Sequence, residues 1–138
     1  MERWHSKEGH RMGIYFNPNH TDFYNAVNHS QIYVDKTGLI EKTNAVLDTR
    51  QKFLCVSRPR RFGKSMAADM LAAYYERGED ADLLFRSLKI SKAESYRAHL
   101  NQYDVIKVNI QEFLSMTGSM DEMLSMLKKY LVFDLMEH

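Results

Sequence analysis

Residues 57–65 read SRPRRFGKS, directly after the apolar run Phe53-Leu54-Cys55-Val56. A glycine, a lysine and a hydroxyl residue in that order suit phosphate chemistry. In the pattern G-x-x-x-x-G-K-[ST], backbone N–H groups wrap phosphates, the lysine neutralises them, and the hydroxyl reaches Mg²⁺. Gly63, Lys64 and Ser65 fit it, while position 58 holds Arg58 where the pattern has its leading glycine. Arg58 either adds a charge-assisted phosphate contact to the rim of the loop or points into solvent.

The elements that must position this loop are suggested on both sides. KFLCVS is short, apolar and bounded by polar residues, which predicts a buried parallel strand. Downstream, Met66, Met70, Leu71 and Tyr74 fall on one helical face, and Ala67, Ala68, Ala72 and Ala73 favour a helix. A helix N-terminus is therefore expected at Gly63-Lys64-Ser65, where unpaired N–H groups and the helix dipole favour an anion. The bland alternative is a basic turn capping a helix. No acidic residue stands between Thr49 and Ala68, a window that holds Arg50, Lys52, Arg58, Arg60, Arg61 and Lys64. Such a loop suits a local anion such as a nucleoside triphosphate. A nucleic-acid backbone held by the RPRR run is the competing reading.

Composition bounds the rest. The 138 residues are enough for one modest domain, and 44% apolar with 12% aromatic residues indicates a packed core rather than disorder. A net charge of +1 sets up no global field toward nucleic acid or membrane. No stretch approaches a membrane span, and the N-terminus lacks the apolar centre of a signal peptide. The single cysteine, Cys55, excludes an internal disulfide and is expected as a buried strand thiol in a reducing cytoplasm.

Along the chain, residues 1–11 read as a flexible tail, followed by a turn at Asn17-Pro18-Asn19. TDFYNAVNH predicts a short helix, QIYVD a short strand, and TGLIEKTNAVLD a helix opened by Thr37. ADLLFRSL predicts a helical turn with Leu83, Leu84, Phe85 and Leu88 inward, and LKI a brief strand. SKAESYRAHL predicts a helix with a Ser91/Glu94 capping box. YDVIKVNIQEF reads as a second core strand, and the final stretch as a helix with a Ser119/Glu122 capping box. Strands alternating with helices imply an α/β fold with a mostly parallel sheet. His5, His10 and His20 show no metal-ligand spacing, His29 and His99 read as surface or helix-end residues rather than general bases, and the nine methionines read as packing residues.

Four segments, YVDKTGLI (33–40), SRPRRFGKSMAADMLAAYY (57–75), LFRSLKI (84–90) and HLNQYDVIKVNIQEF (99–113), together resemble the bacterial predicted AAA-ATPase-like family. Its members are P-loop ATPases, often joined to a C-terminal restriction-nuclease-like domain. The resemblance covers nearly everything from Met12 onward, and an arginine where Arg58 stands is the family's usual form. It implies a P-loop NTPase core that binds ATP and Mg²⁺. The nucleotide would be held by Arg58, Pro59, Arg60, Arg61, Phe62, Gly63, Lys64, Ser65 and Met66. Lys64 would act on the β- and γ-phosphates and Ser65 would ligate the metal. YVDKT is the family's second hallmark, and by similarity Tyr33, Val34, Asp35 and Lys36 border the adenine or organise the loop. The bland reading of YVDKT is an edge strand followed by a helix start.

P-loop hydrolysis also needs a Walker B acid at the end of a strand. YDVIKVNIQEF ends in Asn109 and Gln111, and it resembles the family strand that precedes the acidic one. In YLVFDLMEH, Asp134 continues a helical series of Leu124, Leu127, Leu131 and Leu135, with Met120 and Met123 near the same face. The chain is thus expected to be the N-terminal part of such an ATPase, residues 12–138, incomplete before the Walker B strand. Self-association or a need for the missing C-terminal half follows from that expectation. Nucleic acid would enter only through a nuclease-like domain. The alternatives are a nucleic-acid-binding module using the arginines and a remnant that binds nothing.

Overall fold

The computed structural model describes residues 21–61, 63–78 and 80–136. The expectations for the 1–11 tail, the 17–19 turn and His5, His10 and His20 lie outside the described residues. In chain order the elements are α1 (Thr21–His29), α2 (Gly38–Asn44), α3 (Lys64–Tyr75), α4 (Asp82–Phe85), a 3₁₀ turn (Lys89–Lys92), α5 (Tyr96–His99), α6 (Ile110–Met116) and α7 (Met120–Met136). Among the described residues the chain divides into two compact units, one within 21–105 and the other within 106–136.

The expected parallel sheet is absent from the described residues, which form helices, turns and irregular segments without a β-strand. This corrects the α/β, P-loop-core expectation, and the physical reason is visible at each predicted strand. A strand exists only when another segment pairs its N–H and C=O groups. Residues 53–56 carry no regular secondary structure, and no other described backbone pairs with them. Phe53 is 87% exposed and Leu54 52%. Cys55 is exposed rather than buried. QIYVD begins in a bend and joins no ladder among the described residues. LKI winds into the 3₁₀ turn, which replaces the Ser91/Glu94 capping box and defers the helix to α5. YDVIKVNIQEF is interrupted by Asn109, whose side chain accepts from the Gln111 N–H at 3.2 Å and starts α6. Asparagine is a strong N-cap, and that local bond outcompetes strand propensity. A parallel bridge between Glu76 and Tyr103 stands alone.

The core of the first unit collects Phe23, Ile40, Met70, Tyr74, Phe85, Leu88, Ile90, Tyr96 and Leu100. Phe23 stacks on Phe85 at 5.4 Å, and Tyr74 meets Phe85 edge-on at 5.5 Å. Such pairs add about 0.5–1.5 kcal/mol each beyond the area they bury. Leu83, expected inward, is 68% exposed because Phe85 and Leu88 take the inner positions of that turn.

Polar side chains fix the two ends of this packing. Asn44, at the end of α2, donates to Tyr74 Oη and Ser95 Oγ at 3.1 Å and accepts from Tyr75 Oη at 2.6 Å. The C-terminal carbonyls of α3 receive N–H groups from a later segment: Asn101 N–H to Tyr74 O at 2.8 Å and Tyr103 N–H to Tyr75 O at 2.9 Å. Asn101 is left-handed at φ 55°, and its amide donates to Glu76 O at 2.6 Å. These bonds satisfy groups that a helix end otherwise leaves orphaned.

In the second unit, α6 and α7 bury Phe113 and Met123, with Met126, Leu127, Tyr130 and Leu131 packed around them. Positions 123, 126, 127, 130 and 131 are the i, i+3, i+4, i+7, i+8 stripe of one helix face. The face therefore differs from the expected series, since Leu124 is 44% and Met120 60% exposed. Ser119 Oγ accepts from the Glu122 N–H at 3.3 Å, and Glu122 accepts from the Gly118 N–H at 3.0 Å, much as the capping box requires. Asp134 lies within α7, in keeping with the helical reading of its segment.

Candidate phosphate-binding site

The loop reaches α3 through Gly63, which sits at its N-cap with φ 76° and ψ 30°. Glycine takes this left-handed geometry freely, whereas another L-residue pays about 1–2 kcal/mol. Gly63 O accepts from the Ala67 N–H at 2.9 Å and closes the first turn. No side chain caps this N-terminus, and its first turn carries no acid. Amide donors and a positive dipole end are thus presented to an anion. Arg61 is the loop's second left-handed residue, at φ 66°.

Lys64 folds back over its own loop. Its Nζ donates to Arg58 O at 2.5 Å and lies 3.4 Å from Pro59 O. Ser65 is exposed in the first turn of α3. Arg58, Arg60 and Arg61 are exposed, and none pairs with a carboxylate among the described residues. Phe62 lies outside the described residues.

The YVDK segment comes to the same place. Lys36 Nζ stands 3.1 Å from the position a Cβ on Gly63 would occupy. Beside it opens a cleft of about 170 Å³, walled by Phe23, Tyr33, Val34, Met66 and Met70, with Lys36 and Gly63 also on its lining. That is well below the roughly 300–1,000 Å³ of sites that enclose whole drug-sized ligands. Tyr33, Val34, Lys36, Gly63 and Met66 all line this cleft.

Asp35 is turned to another task. Its carboxylate accepts from the Thr37 N–H at 2.9 Å, Thr37 Oγ1 at 2.6 Å and the Lys89 N–H at 2.7 Å. Buried Thr37 in turn accepts from the Ile90 N–H at 3.1 Å. Burial alone would raise the Asp35 carboxyl, but these hydrogen bonds and the Lys89 charge outweigh it and hold the group below its ordinary value. Tyr33 is pushed up to about 12 by burial and by the Asp35 charge, so its phenol stays protonated. The contribution of Phe23 and Ala26 from α1 to the cleft had no signal in the sequence. The Asp35–Thr37 turn did have one, since Asp two residues before Thr favours a local side-chain-to-backbone bond.

No group of three or more His, Cys, Asp or Glu residues could hold a metal among the described residues. No described helix is long and apolar enough to cross a membrane. A cationic loop at an uncapped helix N-terminus thus stands next to a small apolar cleft. The chain belongs to the predicted AAA-ATPase family, whose model matches residues 19–136. The match supports nucleotide binding in general and extends over both compact units. No curated protein and no solved structure matches the chain.

Proposed function

We propose that the chain binds ATP with Mg²⁺ through residues 58–66 and the cleft beside them. The observation that carries this reading is the left-handed Gly63 at the uncapped N-terminus of α3, flanked by Lys64 and adjoining an apolar cleft. Lys64 exchanges the Arg58 and Pro59 carbonyls for the β- and γ-phosphates. The N–H groups of residues 60–65 form the cradle. Arg58, Arg60 and Arg61 supply charge at the rim. Adenine enters between Met66 and the Tyr33–Val34 segment. The exposed Ser65 hydroxyl would supply one oxygen to a Mg²⁺ bound with the phosphates, which would neutralise their charge. These roles account for binding. Turnover needs in addition a carboxylate behind the metal and a group that orients water. A cytoplasmic setting, rich in ATP and Mg²⁺, goes with this reading.

Titration calorimetry with Mg-ATP on wild type, Lys64→Ala and Ser65→Ala tests it. Wild type should bind, and Lys64→Ala should weaken binding at least tenfold, about 1.4 kcal/mol. Ser65→Ala should bind ATP more weakly with Mg²⁺ and unchanged without it. Equal binding by Lys64→Ala would remove the loop from the site.

A further inference from the structure

We infer that Lys36 is a second phosphate-binding cation of this site, a role that rests on the nucleotide reading above and sharpens it. Three observations converge on the side chain. Its ammonium stands over Gly63, close enough to crowd a Cβ there at 3.1 Å. It lines the cleft that also touches Gly63 and Met66, so it stands where the apolar cleft gives way to the loop. Its backbone is pinned on both sides, by Asp35 to the Lys89 N–H at 2.7 Å and by Thr37 to the Ile90 N–H at 3.1 Å. A lysine stem is flexible, and ordering it on binding costs rotamer entropy. Fixing the backbone at its root reduces what remains to be ordered.

Charge supports the same assignment. Lys64, folded on Arg58 O, and Lys36, over Gly63, bring two ammonium groups to a loop that carries no acid from Arg50 to Ala67. Lys36 stands at the border of the cleft, so the phosphates it meets are those nearest the base. The ligand class is a nucleoside di- or triphosphate, and both should depend on Lys36 alike. Asp35 and Thr37 are positioning residues in this arrangement and touch no ligand.

The test is the affinity of wild type, Lys36→Ala, Lys36→Gln and Lys36→Arg for Mg-ATP, Mg-ADP, adenosine and inorganic tripolyphosphate. Thermal unfolding without ligand confirms that each variant is folded. Lys36→Ala and Lys36→Gln should lose about tenfold or more for ATP, ADP and tripolyphosphate, in line with a lost charge-assisted bond. Adenosine should bind them as it binds wild type, and Lys36→Arg should restore most of the loss. If wild type binds ATP and Lys36→Ala binds it equally well, the Lys36 assignment is overturned while the nucleotide reading stands. An equal loss for adenosine also overturns it, because the side chain then acts on the base or the fold. Failure of wild type to bind ATP or tripolyphosphate overturns both.

Discussion

Thr37 and the Lys89 N–H hold the Asp35 carboxyl below its ordinary value of 3.8. A group depressed in the folded state stabilises the fold above its unfolded value, and that stabilisation disappears as pH falls through the folded value. Tyr33 and Tyr75 work in the opposite sense, each raised to about 12 chiefly by burial. Their stabilisation is complete below the ordinary value of 10 and is lost as pH rises toward 12. Urea unfolding across pH should therefore show a plateau from about 4 to 10, with a fall on either side. Asp35→Asn should flatten part of the acid limb. An unchanged acid limb would mean that the Thr37 and Lys89 bonds do not persist in solution. At this scale the sequence was informative where chemistry is local. Gly63, Lys64 and Ser65 form one contiguous signature, and the structure places them at a helix start. The role of Asp35 was not legible, because its partner Lys89 is distant in sequence and only folding brings the two together.

Helix α3 was the most legible element. Its alanines favour helix, and Met70 and Tyr74 are buried on the face their spacing predicts. The strands failed for one shared reason. Apolar β-branched and aromatic runs report that a segment fits a pleated surface, not that a neighbour exists to pair with it. For residues 53–56 no described backbone does so, and at Asn109 a local cap redirects the chain into α6. What anchors the far end of α3 is instead polar. Asn44 joins α2 to Tyr74, Tyr75 and Ser95 through bonds of 2.6–3.1 Å. Asn44→Ala would leave the buried Tyr74 hydroxyl and the half-buried Tyr75 and Ser95 hydroxyls short of a partner, at about 1–3 kcal/mol. Chemical denaturation should show that loss as a lower midpoint with an unchanged slope. A loss under about 0.5 kcal/mol, the range of ordinary surface changes, would show the network to be incidental.

Across the whole molecule, large apolar side chains remain on the surface. Phe53 is 87% exposed, Ile32 85%, Val34 66% and Ile106 60%. Around Phe53 the backbone also pairs with no described residue, so its exposed apolar side chains and open N–H and C=O groups can recruit another chain. We propose that the chain self-associates through this segment. Light scattering after size exclusion should give a mass that rises with concentration, and Phe53→Ser should lower it. A monomer at all concentrations would contradict the proposal. The central claim, that the loop before α3 is a working nucleotide site, is tested most directly by thermal unfolding with and without Mg-ATP. Ligand that binds only the folded state should stabilise it by about 2.7 kcal/mol at one hundred times the dissociation constant. The account predicts an upward shift of the midpoint in wild type that Lys64→Ala abolishes. A folded wild-type chain whose midpoint does not move at millimolar Mg-ATP would contradict it.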